Sequence, residues 1–296
     1  MKNTRWRRLA ALCLLPALTG CLRSSRSVMQ PHPPAQVLSS SLEDLVKVTT
    51  ARYDAIQTLR ASVEVSASTG GGKEGKLTEY ISFSAYILMR QPNDFRFIGL
   101  VPVARSHMVD MVTNGKTFTM VIPPKSRAIT GSNSVTTLST NPLENLRPSV
   151  FTGSLLIRSA AKEELVSMIS GDRIYQPDPS SKYIVDEPEY DIAIYGRSAN
   201  SLQLKTLRVI HIGRSNLLPY QQDIYDERGE LVTVATYDDY KMFGETAFPS
   251  KITIRRPLDQ LTLTLVVTQL ALNTQLEDEQ FQEPHIPASY QIQHMP

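Results

Sequence analysis

Apolar and polar residues alternate with a period of two along most of this chain, and this pattern constrains its fold more than any other feature. Ala61, Val63 and Val65 alternate with polar neighbours, and the same alternation returns near Phe95 and near Phe118. Successive side chains on a β-strand point to opposite faces, so the pattern predicts antiparallel strands with one buried face. Counting these segments and the Gly, Asn and Asp turn signals between them predicts about eleven strands.

Two regions depart from this period and predict helices. Apolar residues spaced three and four apart run from Ser40 to Gln57, which predicts one helix. The segment from Asn141 to Ile169 fits two short helices, separated by a break that holds Pro148 and Gly153. The chain is therefore predicted to be mainly β with helices, in the α+β class.

An antiparallel sheet of this size with one apolar face must curl or be covered. We therefore predict a curved, half-open antiparallel β-barrel of about eleven strands, with a helical lid over an apolar cavity. A plain packed core would show the same apolar strand faces, so periodicity alone leaves both interpretations open. The residues predicted to line the cavity are Val63, Val65, Phe83, Ile87, Phe95, Phe97, Met108, Met111, Phe118 and Met120.

The first twenty residues have the features of an export signal. Four basic side chains precede an apolar run from Leu9 to Leu18, which is roughly half the length of a membrane-spanning helix. The segment ends in Leu18-Thr19-Gly20-Cys21, which resembles the lipobox of bacterial lipoproteins. That resemblance implies cleavage after residue 20 and attachment of lipid to the Cys21 thiol.

Charge and cysteine content narrow the expected partners. Removing residues 1–20 takes away four basic and no acidic side chains, leaving 27 basic against 29 acidic residues and a net charge of −2. This balance gives no basis for nucleic-acid binding, which needs a basic surface. Cys13 and Cys21 are the two cysteines, so the mature chain has no cysteine pair for a disulfide.

The chain divides into four predicted segments. Residues 1–20 form the signal peptide, and residues 21–40, rich in Ser and Pro, form the lipidated cysteine and a flexible tether. No long linker interrupts the strands that follow, so residues 41–287 are predicted to form one half-barrel domain. Residues 288–296 are predicted to be a C-terminal tail.

The loop from Gly99 to Ala104 joins two predicted strands and carries no charge. An exposed apolar loop on an anchored protein can enter a membrane surface or displace acyl chains from a cavity. Leu100, Val101 and Val103 are therefore predicted to form a membrane-contacting or transfer loop. A loop folded back into the core is the alternative.

The sequence shows no motif for catalysis, metal binding or cofactor binding. Its five histidines are scattered without metal-ligand spacing, and a Gly-x-Ser-x-Gly motif is absent. Glu187, Glu189 and Asp191 could form a carboxylate pair or a cation site, but a solvated loop is the simpler interpretation. We therefore predict a protein that is not an enzyme and has no metal and no cofactor.

The order of these segments resembles the LolA/LolB-like family of outer-membrane lipoprotein-sorting proteins. The likeness rests on Arg90 to Phe97, Asn114 to Lys125, Asp226 to Tyr240 and Phe248 to Ile254, and it spans about residues 41–287. It implies a strongly curved half-barrel closed by helices over an apolar cavity for acyl chains. The lipobox makes the chain more similar to the anchored receptor branch of that family than to its soluble carrier.

These features predict a membrane-anchored lipoprotein that binds acyl chains of lipoproteins or phospholipids without covalent chemistry, in lipoprotein localisation or lipid trafficking. We expect it in the cell envelope, anchored through Cys21 to the outer membrane and facing the periplasm, because Leu22 rather than Asp follows the cysteine. A periplasmic carrier protein is an expected partner. The alternative is a periplasmic sensor or interaction lipoprotein on the same fold, which binds a protein partner rather than lipid.

Overall fold

The computed structural model describes residues 28–71, 75–133, 145–178, 180–197 and 203–295. The predicted signal peptide and Cys21 lie outside these residues. Among the described residues, no helix is both long enough and apolar enough to span a membrane.

The chain forms two compact units. The smaller unit contains residues 28–34 and 173–187, and the larger contains residues 35–172 and 188–295. In the smaller unit, β1 (Pro31–His32) pairs in parallel with the start of β10, and the His32 and Tyr183 rings meet edge to face. The functional residues discussed below belong to the larger unit.

The described residues contain two α-helices and sixteen strands. The helices are α1 (Leu42–Asp54) and α2 (Pro148–Leu155), and short 3₁₀ turns occupy Pro123–Lys125 and Asp278–Phe281. The strands after β1 are β2 (Thr58–Gly70), β3 (Leu77–Glu79), β4 (Phe83–Arg90), β5 (Asp94–Leu100), β6 (His107–Thr113), β7 (Thr117–Ile122), β8 (Arg127–Ser132), β9 (Leu165–Tyr175), β10 (Ile184–Arg197), β11 (Leu204–Gly213), β12 (Leu218–Tyr225), β13 (Leu231–Phe243), β14 (Thr246–Arg256), β15 (Leu261–Leu272) and β16 (Gln291–Met295).

One curved, unclosed sheet contains these strands. Its order is β1-β10-β11-β12-β13-β14-β15-β2-β4-β5-β6-β7-β8-β16, with β3 beside β2 and β9 beside β10. Neighbouring strands from β10 to β8 are antiparallel, as the alternation predicts, whereas the β8–β16 pair is parallel. The pairing of β15 with β2 joins the last long strand to the first, with Leu265 opposite Val65.

The sequence correctly predicts a mainly β fold with an unclosed, curved sheet. The predicted number of eleven strands is wrong, because the described residues contain sixteen. Short strands such as β3 and β16 escape the prediction because their side chains are mostly exposed and carry no alternating apolar pattern. Part of the predicted tether and part of the predicted C-terminal tail therefore form strands. Leu38 and Ser39, within the predicted tether, also accept hydrogen bonds from the Arg214 guanidinium, at 2.8 and 2.9 Å.

The helical prediction for Asn141 to Ile169 is half right. Residues 141–144 lie outside the described residues, and α2 contains both Pro148 and Gly153, where a break was predicted. Proline is tolerated in the first turn of a helix because its missing N–H has no partner there. The second predicted helix is wrong, because β9 occupies that segment and its Val166 and Met168 pack on one face with a period of two.

Ser41 is the N-cap residue of α1, so the helix begins later than the start at Ser40 that the sequence predicts. Its hydroxyl oxygen accepts a hydrogen bond from the Asp44 backbone N–H at 3.1 Å, which caps the helix. The helix buries Leu45 against the apolar residues of β10 and β11 that form the second core. Those residues are Tyr190, Ile192, Ile194, Ile210 and Ile212.

The main core fills the inner face of the sheet from β13 through β15 and β2 to β8. Inward residues of these strands pack against α2, which contributes Val150, Phe151 and Leu155. Ile87, Ile252 and Leu265 have no exposed surface at all. The short helix α2 is therefore the element that covers the apolar face on which a ligand site was predicted.

Candidate functional site

Phe151 of α2 lies over the centre of the predicted ligand-binding face. Its ring stacks on Phe95 and Phe97 of β5, with centroids 5.8 and 5.2 Å apart. Phe151 is 3% exposed, so the helix seals this part of the face from solvent. Stacked aromatic pairs of this kind add about 0.5–1.5 kcal/mol each to the burial of their surface.

Most residues predicted to line a cavity come together in the main core. Val63 and Val65 of β2 and Ile87 of β4 lie beside the aromatic residues of β5, and Phe83 packs against the cluster while half-buried. Met108 differs, because it is half-buried at a β-bulge, where Leu100 pairs with His107, and lies outside the cluster. The residues in the cluster are Val63, Val65, Ile87, Phe95, Phe97, Met111, Phe118 and Met120.

A cavity of about 410 Å³ in the larger unit adjoins α2 and is called the α2 cavity here. Its volume lies within the range of about 300–1,000 Å³ that is usual for small-molecule sites. Met89 and Asp94 lie on its sheet side, and Gly153 and Leu156 lie on its helix side. Its remaining wall comes from Tyr53, Gln91, Pro92, Asn93, Ser149, Thr152, Arg158, Leu207, Arg208, Gln222 and Ile224.

The wall of the α2 cavity is of mixed polarity, and it includes two arginines, Arg158 and Arg208. Arg208 donates to the Arg158 carbonyl at 3.1 Å, and both guanidinium groups lie near the Glu164 carboxylate, at 3.5 and 2.6 Å. Burial lowers the pKa of Arg208 to about 10, and the nearby positive charge of Arg158 acts in the same direction. Arg208 therefore stays charged at neutral pH, and the Glu164 carboxylate faces two guanidinium groups.

Gln222 anchors α2 at the cavity wall. Its side-chain nitrogen donates to the Gly153 carbonyl at 2.8 Å. At the other end of the helix, the Ser149 N–H donates to the Asn133 side-chain oxygen at 3.1 Å. These two polar contacts and the phenylalanine stack hold an eight-residue helix, which is too short to be stable without tertiary packing.

A smaller cavity of about 60 Å³ lies on the other side of Leu156 and Tyr53, which line both cavities. Tyr237 and Tyr240 face it, together with Arg52 of α1. Burial raises the pKa of both tyrosines, and burial lowers the pKa of Arg52. Tyr240 donates its hydroxyl to the Pro219 carbonyl at 2.8 Å, which compensates its burial.

The predicted loop divides into a buried base and an exposed tip. Leu100 ends β5 and is buried, and Val101 is half-buried with its N–H bonded to the Ser106 carbonyl at 2.8 Å. Val103 is fully exposed and adopts a left-handed backbone conformation with φ of 68°. A β-branched residue is rarely found there, so this loop displays an apolar side chain at a cost in backbone energy.

Other exposed apolar side chains share the sheet end of Val103. Val103 follows the end of β5, and the Ala85–Gly99 pair places the start of β4 beside that end. The Val65–Phe83 and Thr69–Leu261 pairs place the end of β2 and the turn before β15 at the same end of the sheet. Ile81 precedes β4 and is 83% exposed, and Leu258 precedes β15 and is 45% exposed. The α2 cavity lies at the opposite end, beside the β4–β5 turn.

Sequence reasoning missed the residues that cover the face and the two arginines of the cavity wall. Phe151 lies on a helix of two turns, which is too short to show a helical period, and Arg158 and Arg208 are separated by fifty positions. The solvated loop predicted for Glu187, Glu189 and Asp191 is also wrong. All three lie on β10, where Glu187 and Glu189 are buried.

Comparisons with solved structures identify the fold. The LolA superfamily protein NE2245 from Nitrosomonas europaea matches 83% of this chain and 99% of its own, with a TM-score of 0.51 and 14% identity. A DUF1329 family protein from Desulfovibrio piger aligns with 81% of this chain over 95% of its own length, with a TM-score of 0.50 and 15% identity. No protein-family model and no curated protein matches the sequence. The chain therefore has the LolA-like fold that the sequence predicts.

Proposed function

We propose that this protein is a membrane-anchored lipoprotein of the cell envelope that binds acyl chains non-covalently between α2 and the inner face of its sheet. The observation that carries the proposal is the α2 cavity, which lies beside the short helix that covers the apolar face. Met89 belongs both to the cavity wall and to the main core, so we propose that an acyl chain passes from the cavity to the predicted lining residues.

An acyl chain that enters the α2 cavity meets Phe151 and competes with it for β5. Burying sixteen methylenes contributes about 13 kcal/mol, at ~0.8 kcal/mol each. Exposing Val150, Phe151 and Leu155 costs about 5–9 kcal/mol, at ~1.5–3 kcal/mol for each side chain. The difference between these terms, before the entropy cost of association, is small enough for the cargo to be released again.

The two arginines of the cavity wall suit the polar end of such a ligand. Arg158 and Arg208 share the Glu164 carboxylate, and Asp94 on the sheet side is paired with Arg90, so the two guanidinium groups can donate hydrogen bonds to an anionic headgroup. The acyl chain would then extend along β5, past Phe95 and Phe97, towards the loop that displays Val103. We propose binding and transfer rather than catalysis, because burial of the acyl chain and hydrogen bonding to its headgroup need no covalent step.

The sheet end that carries Val103 is proposed to contact the membrane. Ile81 and Leu258 add apolar surface there, and exposed Arg105 and Lys125 add positive charge near an anionic leaflet. Lipidated Cys21 would tether the protein to the outer membrane on its periplasmic side, within reach of a periplasmic carrier that delivers cargo. Of the predicted loop residues, Val103 is proposed to enter the lipid, with Leu100 and Val101 as its support.

Obstructing the α2 cavity tests this proposal. A Cβ atom built at Gly153 contacts only the Ile224 Cδ1 atom, at 3.7 Å, so a side chain at this position fits and projects into free space. Gly153→Leu should narrow the cavity beside α2 and obstruct a ligand there, whereas Gly153→Ala adds one methyl group and serves as the matched control. Both changes remove a helix glycine, which favours α2 by about 1 kcal/mol.

The assay is fluorescence titration with cis-parinaric acid, a C18 fatty acid. Wild-type protein and Gly153→Ala should bind it with equal affinity, and Gly153→Leu should bind at least tenfold more weakly. Equal binding by all three proteins would place the ligand elsewhere, and no binding by any of them would refute the proposal.

The filled main core favours one second candidate, a sensor or interaction lipoprotein that binds a protein partner. Eight predicted lining residues are packed under α2, so the inner face is complete without ligand. This candidate predicts that neither fatty acid nor phospholipid binds and that Gly153→Leu has no functional effect. The titration above therefore separates the two functions.

A further inference from the structure

A second cluster of charged side chains lies on the face of β10 and β11 that points away from the second core. On β10, Glu189 and Asp191 alternate with Tyr190 and Ile192, which pack inward against α1. His211 of β11 is the register partner of Asp191, and its Nδ1 lies 2.7 Å from the Asp191 Oδ1 atom. One ligand atom from each of Glu189, Asp191 and His211 lies within 4.8 Å of the other two.

The backbone makes room for a bound ion beside these side chains. Glu189 pairs with Gly213, so no side chain stands opposite its carboxylate on the neighbouring strand. Gly171 also approaches Glu189, and a Cβ atom built there would lie 3.6 Å from its Oε1 atom. Two glycines therefore border the most buried of the three ligand side chains.

The charges in this cluster are out of balance. Glu189, Asp191 and Asp223 contribute three carboxylates, and no arginine or lysine among the described residues forms an ion pair with them. Glu189 is 8% exposed, and the Tyr220 hydroxyl donates a hydrogen bond to it. Buried carboxylates are stable when they are paired with a cation or coordinate a metal, so the cluster favours a bound positive charge.

The buried Nε2 atom of His211 has no hydrogen-bond partner among the described residues, and it faces the carboxylate of Asp223. The Asp223 Oδ2 atom lies 3.5 Å from His211 Nε2, on the side of the ring away from Asp191. Gln221 donates to the other Asp223 oxygen at 2.8 Å and holds the carboxylate in place. A carboxylate behind one ring nitrogen can fix the orientation of the ring, while the other nitrogen, here hydrogen-bonded to Asp191 at 2.7 Å, would bind a metal in place of that hydrogen bond.

We propose that Glu189, Asp191 and His211 bind a divalent transition-metal ion of the zinc class, with Asp223 orienting the histidine. One imidazole nitrogen and two carboxylate oxygens form a donor set typical of zinc, with ligand distances of about 2.0–2.2 Å and one position left for water. Carboxylates alone would suit calcium or magnesium, and the imidazole shifts the preference to zinc. The ion joins β10 to β11 directly and holds β12 through Asp223.

Zinc titration of the mature chain, residues 21–296 with Cys21→Ser to remove the competing thiol, tests this site. After dialysis against a chelator, calorimetry at pH 7.5 should show one Zn²⁺ per chain with a Kd below about 10 µM. A hundredfold excess of Zn²⁺ over that Kd should raise Tm by about 5 °C. Absence of saturable binding up to millimolar Zn²⁺ would overturn the proposal.

Two variants and one control locate the ion. His211→Gln and Asp191→Asn should each weaken Zn²⁺ binding at least tenfold. His107→Gln is the matched control, because His107 lies 3.8 Å from Asp110, which is already paired with Arg96, and should bind like wild type. Equal binding by wild type and both site variants would overturn the assignment. A zinc K-edge spectrum of the wild type needs no variant and should show imidazole and oxygen ligands; a spectrum without imidazole would contradict the site.

Discussion

Replacing Phe151 by Ala separates the two roles that the structure gives to α2. The Phe151 side chain is 3% exposed, and it stacks on two rings of β5. Truncating a buried phenylalanine costs about 3–5 kcal/mol of folding free energy, because apolar contacts are lost and a cavity remains. For a domain of this size, that loss lowers Tm by about 10 °C.

The same truncation should strengthen acyl-chain binding. A ligand that displaces α2 no longer has to expose the phenylalanine, which removes about 1.5–3 kcal/mol from the cost of binding. The dissociation constant for cis-parinaric acid should therefore fall by roughly tenfold or more, although the protein is less stable. Thermal unfolding and the fluorescence titration, measured on the same preparation, report the two changes independently.

Leu45→Ala is the control for this prediction. Leu45 is as buried as Phe151, but it packs in the second core on α1, away from the α2 cavity. The variant should lose about 2–5 kcal/mol of stability with no gain in affinity. If Phe151→Ala and Leu45→Ala change the fatty-acid affinity equally, or if Phe151→Ala weakens binding, the ligand does not compete with α2 and the reasoning is refuted.

Three further predictions follow from other parts of the fold. Val103→Asp should abolish flotation of the protein with phosphatidylglycerol vesicles without lowering Tm. Val48→Asp, which changes an exposed residue of α1, is the control and should leave flotation unchanged. Equal flotation of the two variants would exclude Val103 from membrane contact. Asp259→Asn should cost about 3–5 kcal/mol in urea unfolding, because it leaves the buried Arg256 guanidinium without its carboxylate; a loss below ~1 kcal/mol would contradict this. Burial raises the pKa of Tyr240 in the folded state. The free energy of unfolding should therefore decline as pH rises above 10.0, the pKa of tyrosine in the unfolded chain. Tyr240→Phe should reduce that decline, measured between pH 9 and pH 11.

The regular part of this fold could be predicted from sequence because each strand presents one face to a continuous core. Val63 and Val65 on β2 and Phe95 and Phe97 on β5 are buried at every second position, which is the information that alternation carries. The pattern fails at Met108, where a β-bulge shifts the register. A bulge changes the facing of side chains without leaving a mark in the apolar pattern.

The candidate sites depend on long-range pairing, which a linear pattern does not contain. Along the sequence alone, a solvated loop is the simpler interpretation of Glu189 and Asp191. In the structure they lie on β10, whose pairing with β11 places His211 opposite Asp191 and forms the proposed metal site. In the same way, Phe151 becomes important only because α2 folds across β5, more than fifty residues earlier in the chain.

The central claim is that the inner face accepts an acyl chain, and native mass spectrometry tests it most directly. Residues 22–296 would be expressed without the anchor, purified in the absence of detergent, and analysed intact for bound lipid. Wild-type protein should carry a stoichiometric acyl-chain ligand, and Gly153→Leu should lose it. A stable, ligand-free wild-type protein that also fails to bind added phospholipid and lipopeptide would contradict acyl-chain binding by the inner face.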